Sequence, residues 1–402
     1  MTIESRLYWK GSGVVYGSII GDMVGSPYEF AGIKTIDFDF INEKSLFTDD
    51  SVMTVAVAEA LMNVGPDAEF EAIRKSIIES MVRLGRMFPS AGYGSTFLEW
   101  IFKRNPQPYG SYGNGSAMRV GTIASFYPND LQRALFVAKI SAEVSHNHPE
   151  AIKAAECTTE MIWLSNKGIE KDEIRKIVEE KYYILDKSCD EIRQDYKFDV
   201  SCQGTMPAAI QCFFEGNNYE EVVRLAVSLG GDADTLACIS GSIAEAYYGV
   251  PEHLKKRCRR NLKEQNATSL LNIIERYEYY MKALENEEVI VIPKKPDRKR
   301  VHNMTIQDND FFSEVATGVR TYEIRMCDSK RKEIQPGDYI TFKCRKTEKK
   351  CIVKVKSLHV YSNIFELNRK ENVNVRYIKE VMKYYTKEEL ANKPFMMIKL
   401  FY

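Results

Sequence analysis

Two pairs of carboxylates are placed where they could do chemistry. Phe47-Thr48-Asp49-Asp50-Ser51 directly precedes one apolar run, and Gly230-Gly231-Asp232-Ala233-Asp234-Thr235 directly precedes another. Both segments combine a hydroxyl residue, two carboxylates and the start of a helix. Neighbouring carboxylates repel, and they lose solvation where the helix that follows is apolar enough to be buried. A hard divalent cation relieves both costs, and oxygen ligands from Asp and Thr suit Mg²⁺, Mn²⁺ or Ca²⁺. Four carboxylates and two hydroxyls are donors enough for two ions. The same residues are also ordinary helix N-caps, whose charge the helix dipole favours. Two such clusters in one chain, the second after a double glycine that permits positive φ and close backbone approach, shift the reading toward metal.

Three further segments carry reactive or ligand-binding residue types. Gly21-Asp22-Met23-Val24-Gly25-Ser26-Pro27-Tyr28-Glu29 closes a glycine-studded stretch, and local sequence alone makes Glu29 a surface acid in a turn. Tyr109–Arg119 is a glycine-rich loop running into a helix. Such a loop presents N–H groups to phosphate, or it is a structural turn. It lacks the Gly-Lys-Ser/Thr of a P-loop and the preceding strand of a dinucleotide fold. In Ser145-His146-Asn147-His148-Pro149, His148 is a candidate ligand contact and His146 is left without a role.

The elements that position these residues fall into two textures. Up to residue 290 apolar residues recur at three and four spacing, in Val52–Met62, Phe70–Leu84, Leu131–Val144, Ala151–Leu164, Tyr219–Leu229, Leu236–Tyr248 and Leu270–Leu284. Residues 1–290 are therefore expected to form an all-α domain. Residues 291–303 are read as a basic linker containing Pro293 and Pro296. Residues 304–402 show short alternating runs, Tyr322–Met326, Tyr339–Phe342 and Cys351–Val355, with a Pro336-Gly337-Asp338 turn. They are expected to form a small β-barrel with one or two helices. The fold class is thus α+β multidomain.

A length of 402 residues fits this division, being too long for one core. The formal net charge of zero hides a split. Residues 1–290 hold 31 basic and 42 acidic groups, whereas 291–402 hold 25 basic and 14 acidic. The basic half suits phosphate-backbone contact, through Arg320 or Arg325, or it is a solvated basic face. Nine scattered cysteines without a CxxC fit reduced thiols in a cytoplasmic protein. The longest apolar stretches are too short for a bilayer, and MTIESRLYWK does not read as a signal peptide. No membrane partner is expected.

Together, GDMVGSPYE (21–29), FTDDS (47–51), SYGNGSAMR (111–119), SHNHPEA (145–151) and GGDADTLACISGSIAEAYYG (230–249) resemble the ADP-ribosylglycohydrolase family in residues, order and spacing. The resemblance spans about residues 10–285. It implies an orthogonal all-α fold holding two Mg²⁺ ions, with Mn²⁺ as a substitute, that cleaves the glycosidic bond of ADP-ribosylated protein or nucleic acid. Thr48, Asp49, Asp50, Asp232, Asp234 and Thr235 would be metal ligands, and Glu29, with Asp49 and Asp50, would be catalytic. Asn114, Gly115, Ser116 and His148 would face ADP-ribose.

The second domain resembles the ASCH group of the PUA-like superfamily, on GVRTYEIR (318–325) and IQPGDYITF (334–342). That resemblance implies RNA binding, with Arg320 and Arg325 as contacts, or amidohydrolase activity on modified cytidine. The amidohydrolase pattern expects lysine at Arg320 and threonine near Glu323, and the arginine at 320 departs from it. A non-catalytic ADP-ribose or RNA reader is the remaining alternative, and the chain is expected to act as a monomer.

Overall fold

The glycine-studded stretch expected to form turns is a helix, Tyr16–Gly25, with every residue buried. Gly17, Gly21 and Gly25 repeat every four residues and form one face. A Cβ on Gly17 would lie 2.3 Å from the Gly241 carbonyl oxygen, and one on Gly21 would lie 2.1 Å from that of Ala237. The helix therefore packs backbone to backbone on the Ala233–Tyr248 helix. That contact outweighs the roughly 1 kcal/mol of helix propensity each glycine forfeits.

The computed structural model describes residues 14–285, 301–316, 320–328, 331–371, 373 and 375–401. Contacts divide the chain into Met1–Ile290 and Val291–Tyr402. The first unit is helical in all its described regular elements. Its helices follow the apolar periodicity, four reaching beyond the expected runs and two ending one residue short: Asp49–Val64, Phe70–Met87, Pro149–Asn166 and Thr268–Glu285, then Leu131–Glu143 and Tyr219–Ser228. Their apolar faces merge into one core containing Ile19, Val55, Trp100, Phe126, Phe213 and Ile239.

Among its described residues the second unit contains five strands, β1 Val301–Ile306, β2 Tyr322–Met326, β3 Tyr339–Cys344, β4 Lys350–Tyr361 and β5 Phe395–Phe401. They are ordered β1-β3-β4-β5-β2. β1 runs parallel to β3, and the other pairs are antiparallel. Along β3, buried Ile340 and Phe342 alternate with half-buried Tyr339, Thr341 and Lys343. Two expectations change here. β1 and β2 end the linear order and do not pair with each other, so the described strands make a half-barrel instead of a closed barrel. β1 also begins at Val301, inside the span 291–303 read as linker. The rest of that span, 291–300, lies outside the described residues, as do Gly318 and Val319 of the ASCH-like motif.

Candidate functional site

Two helix N-termini converge. Thr48 caps the Asp49–Val64 helix, its side chain accepting from the Asp50 N–H. Asp232 stands at the start of the Ala233–Tyr248 helix. Gly230 and Gly231 precede it at φ of +72° and +71°, a left-handed turn that L side chains resist. The clusters touch directly, Thr235 Oγ1 donating to Asp50 Oδ2 at 3.2 Å. Glu29, Asp232 and Asp234 each bring a carboxylate oxygen within 4.8 Å of the others. Glu29 is thus half-buried in the cluster, against the local-sequence expectation of a surface acid.

Asp22, to which local sequence assigns no role, ties this centre together. It lies in the Tyr16–Gly25 helix and is fully buried. Its carboxylate accepts from Thr48 N at 2.9 Å, Thr48 Oγ1 at 2.8 Å and Ser51 N at 3.1 Å, and also from Ser51 Oγ. One helix thus supplies the anion that holds the N-terminus of the next, with the dipole in its favour.

The electrostatics are those of unrelieved negative charge. Burial pushes the Asp22 carboxyl up to about 6. Burial, then Asp22, then Asp232 raise Asp49 well above the usual carboxylate range. Burial, then Asp22, then Asp49 do the same for Asp50. Asp234 is raised by burial and then Asp232. Glu29 is pushed up to about 7, first by burial, then by Asp232 and Asp22. Asp50 Oδ1 is buried without a hydrogen-bond partner. Hard oxygen donors, crowded, desolvated and partly orphaned, fit a divalent cation.

A cavity of about 490 Å³ opens over the cluster, lined by Glu29, Asp49, Asp50, Asp232, Asp234 and Thr235 on one side. Gly113, Asn114, Gly115, Arg119 and His146 line another part. The proposed ADP-ribose contacts divide. Gly115 and Asn114 reach the cavity, but Asn114 Nδ2 donates to Asp232 Oδ2 at 2.5 Å, so it positions a carboxylate. Ser116 is buried and donates to the Gly113 carbonyl at 3.1 Å. His148 is a helix cap, its Nδ1 accepting from Glu150 N at 3.1 Å, and it does not line the cavity. His146 lines it instead. Burial and then Arg119 hold the His146 imidazole well below its usual range, so it is neutral. Spacing alone could not separate His146 from His148, because only the Pro149 start of the next helix marks His148 as its cap.

In the second unit, Arg320 and Arg325 do not stand on an outer basic face. Arg320 is 5% exposed and Glu323 is 1% exposed. The Arg320 guanidinium lies 3.4 Å from Glu323, and Arg325 pairs with the same carboxylate. Tyr377 Oη donates to it at 2.7 Å. A buried carboxylate needs such partners, and they draw both arginines inward. The group lines a cavity of about 200 Å³.

A helical scaffold that delivers carboxylates from separate helix ends into one cavity is the arrangement of an enzyme centre. Residues 4–287 match the family model described as ADP-ribosylglycohydrolase, and the chain belongs to that family as a glycohydrolase. It is 25% identical over 283 residues to the ADP-ribosylarginine hydrolase Tri1 of Pseudomonas putida (strain GB-1), covering 61% of this chain and 74% of that protein. Over 326 residues it is 24% identical to the ADP-ribosylhydrolase ARH3 of Mus musculus, covering 61% of this chain and 86% of that one. A solved "ADP-ribosylglycohydrolase-related protein complex" shares the fold, with a TM-score of 0.50 and 23% identity over 69% of this chain and all of that one.

Proposed function

We propose that the first unit hydrolyses the glycosidic bond of ADP-ribosylated substrates, releasing ADP-ribose, with Mg²⁺ or Mn²⁺ held by the acidic cluster. The observation that carries this is the crowded set of buried Asp50, Asp232 and Asp234 with half-buried Asp49, Asp50 Oδ1 being left unpaired. Those four carboxylates, with Thr48 and Thr235, are the ligands for up to two ions. When bound, a divalent cation supplies a polarised water and a fixed orientation for the ribose hydroxyls. Glu29, pushed up to about 7, can hold a proton or release one near neutral pH. It is the group to protonate the leaving atom or to deprotonate water. Asp22 and Asn114 are positioning residues, and Gly113, Gly115 and neutral His146 shape the wall for ADP-ribose. An intact acidic set argues against a non-catalytic reader. The test is ADP-ribose release from a panel of ADP-ribosylated peptides and oligonucleotides. Turnover with Mg²⁺, lost in EDTA, supports the proposal, and equal turnover in EDTA sinks its metal dependence.

The second unit we read as PUA/ASCH-like, a half-barrel with 20 basic and 13 acidic groups over residues 301–402. Arg320 and Arg325 being held on Glu323, a polyanion would meet the outer lysines. Salt-dependent retention of RNA by the full chain would support this, and no retention at low salt would remove it. The reduced cysteines fit a cytoplasmic setting. No helix among the described residues is long and apolar enough to cross a membrane.

A further inference from the structure

Two exposed phenylalanines meet at the edge of the acidic cavity. Phe30 directly follows Glu29 and is 84% exposed, and Phe198, between Asp195 and Ser201, is 50% exposed. Their rings stack with centroids 5.8 Å apart and planes 24° from parallel. Both line the 490 Å³ cavity. Rings left this open gain little from folding, and they leave aromatic surface for a third planar or cationic group.

Phe198 also lines a second cavity, of about 390 Å³. Four carboxylates surround it, Asp186, Glu191, Asp195 and Asp199, against two lysines, Lys187 and Lys197. Leu185, Ile192 and Pro207 give it apolar walls. Asp186 and Asp195 are exposed, and Ile184 extends the apolar surface at 77% exposure.

We propose that this acidic groove binds the modified substrate itself, a basic stretch of polypeptide, and that the ADP-ribosylated side chain crosses Phe30 and Phe198 to reach the carboxylate cluster. The proposal rests on the reading of the first unit as an ADP-ribose hydrolase. Charge decides the class of substrate. A nucleic acid would bring a phosphate with every nucleotide to a groove dominated by carboxylates. Lysine and arginine side chains instead meet complementary charge there, and aromatic faces that favour cations. The apolar walls suit the aliphatic parts of a peptide and have no counterpart in a sugar-phosphate chain.

Three substrates for the full chain with Mg²⁺ test this. They are an ADP-ribosylated peptide flanked by Lys and Arg, the same modified peptide flanked by Asp and Glu, and an ADP-ribosylated oligonucleotide. The wild type is expected to show a KM about tenfold lower for the basic peptide than for the acidic one, and to act least on the oligonucleotide. Asp186→Lys combined with Asp195→Lys is expected to invert the peptide preference, a result misfolding would not produce. Phe30→Ala with Phe198→Ala is expected to raise KM for both peptides by about tenfold. Equal KM for the two peptides, no inversion in the lysine variant, or an oligonucleotide cleaved as efficiently as the basic peptide overturns the proposal and leaves ADP-ribose hydrolysis standing. Release of ADP-ribose from none of the three overturns both.

Discussion

The two units each bury acidic charge, and they treat it in opposite ways. Around Glu323 the compensation is covalently part of the chain. Arg320 and Arg325 converge on the carboxylate and Tyr377 donates to it. Around Asp49, Asp50, Asp232 and Asp234, the titratable groups that act on each carboxylate are mainly other carboxylates. The first unit also places an arginine, Arg83, beside a buried acid, Glu59, so the contrast belongs to this cluster and not to the whole unit. The arrangement around Glu323 supplies its own opposite charge, and the aspartate cluster gathers like charge. Asp22 and Glu245 show a third treatment, in which buried carboxylates are held by the N–H groups of helix starts. Glu245 accepts from Val15 N at 2.8 Å and Gly17 N at 2.7 Å.

The contrast sets the sign of each neutralising substitution. The largest effect is on turnover. Asp49→Asn or Asp232→Asn is expected to cut the rate of ADP-ribose release by about a thousandfold or more, because each removes an anionic ligand. Steady-state kinetics check this, and near-wild-type kcat in both variants would dissolve the distinction between the two regions.

Next comes stability in the second unit. Glu323→Gln removes the buried carboxylate that both arginines pair with and is expected to cost about 3–5 kcal/mol in urea unfolding. A cost near zero would mean the pair is not truly desolvated.

Glu245 gives an intermediate case, read through pH. Burial is the main cause pushing its carboxyl from 4.5 up to about 7. The folded protein therefore holds this proton more tightly than the unfolded chain. The associated stability, about 3 kcal/mol, is fully present below the unfolded value and is lost as pH rises through the folded one. Glu245→Gln is expected to flatten that fall between pH 4.5 and 7 in thermal melts. An unchanged pH profile would show that the helix start, and not a proton, satisfies this carboxylate.

The smallest effect has the opposite sign. Asp50→Asn keeps an acceptor for Thr235 Oγ1 while removing one repelling charge. It is expected to stabilise the metal-free protein by about 1–2 kcal/mol while impairing catalysis. Destabilisation in EDTA would contradict the account of uncompensated charge.

Much of this contrast is legible in the residues before any coordinates. Thr48-Asp49-Asp50 and Asp232-Ala233-Asp234 declare themselves because acids and hydroxyls at the start of apolar runs obey capping rules. The Tyr16–Gly25 helix is hidden, since its glycines look like turn residues until a second glycine-bearing helix lies against them. Asp22 is hidden with it, because its partners Thr48 and Ser51 are remote in sequence. The first half of β1 falls in the span expected to be linker, as Val301 and Asn303 lack a run of apolar alternation to set them apart. The inward turn of Arg320 and Arg325 follows from the burial of Glu323, which local sequence does not encode. Burial is set by the whole fold, and that is where residue-by-residue reading stops.

The direct test of the central contrast is calorimetric titration of the chelator-treated full chain with Mg²⁺ and Mn²⁺, in wild type and in Asp232→Asn. The expected result is saturable binding to the wild type, with proton release, and its loss or severe weakening in the variant. Absence of binding to the wild type at millimolar cation, or undiminished binding to Asp232→Asn, would contradict a carboxylate centre that awaits its cation.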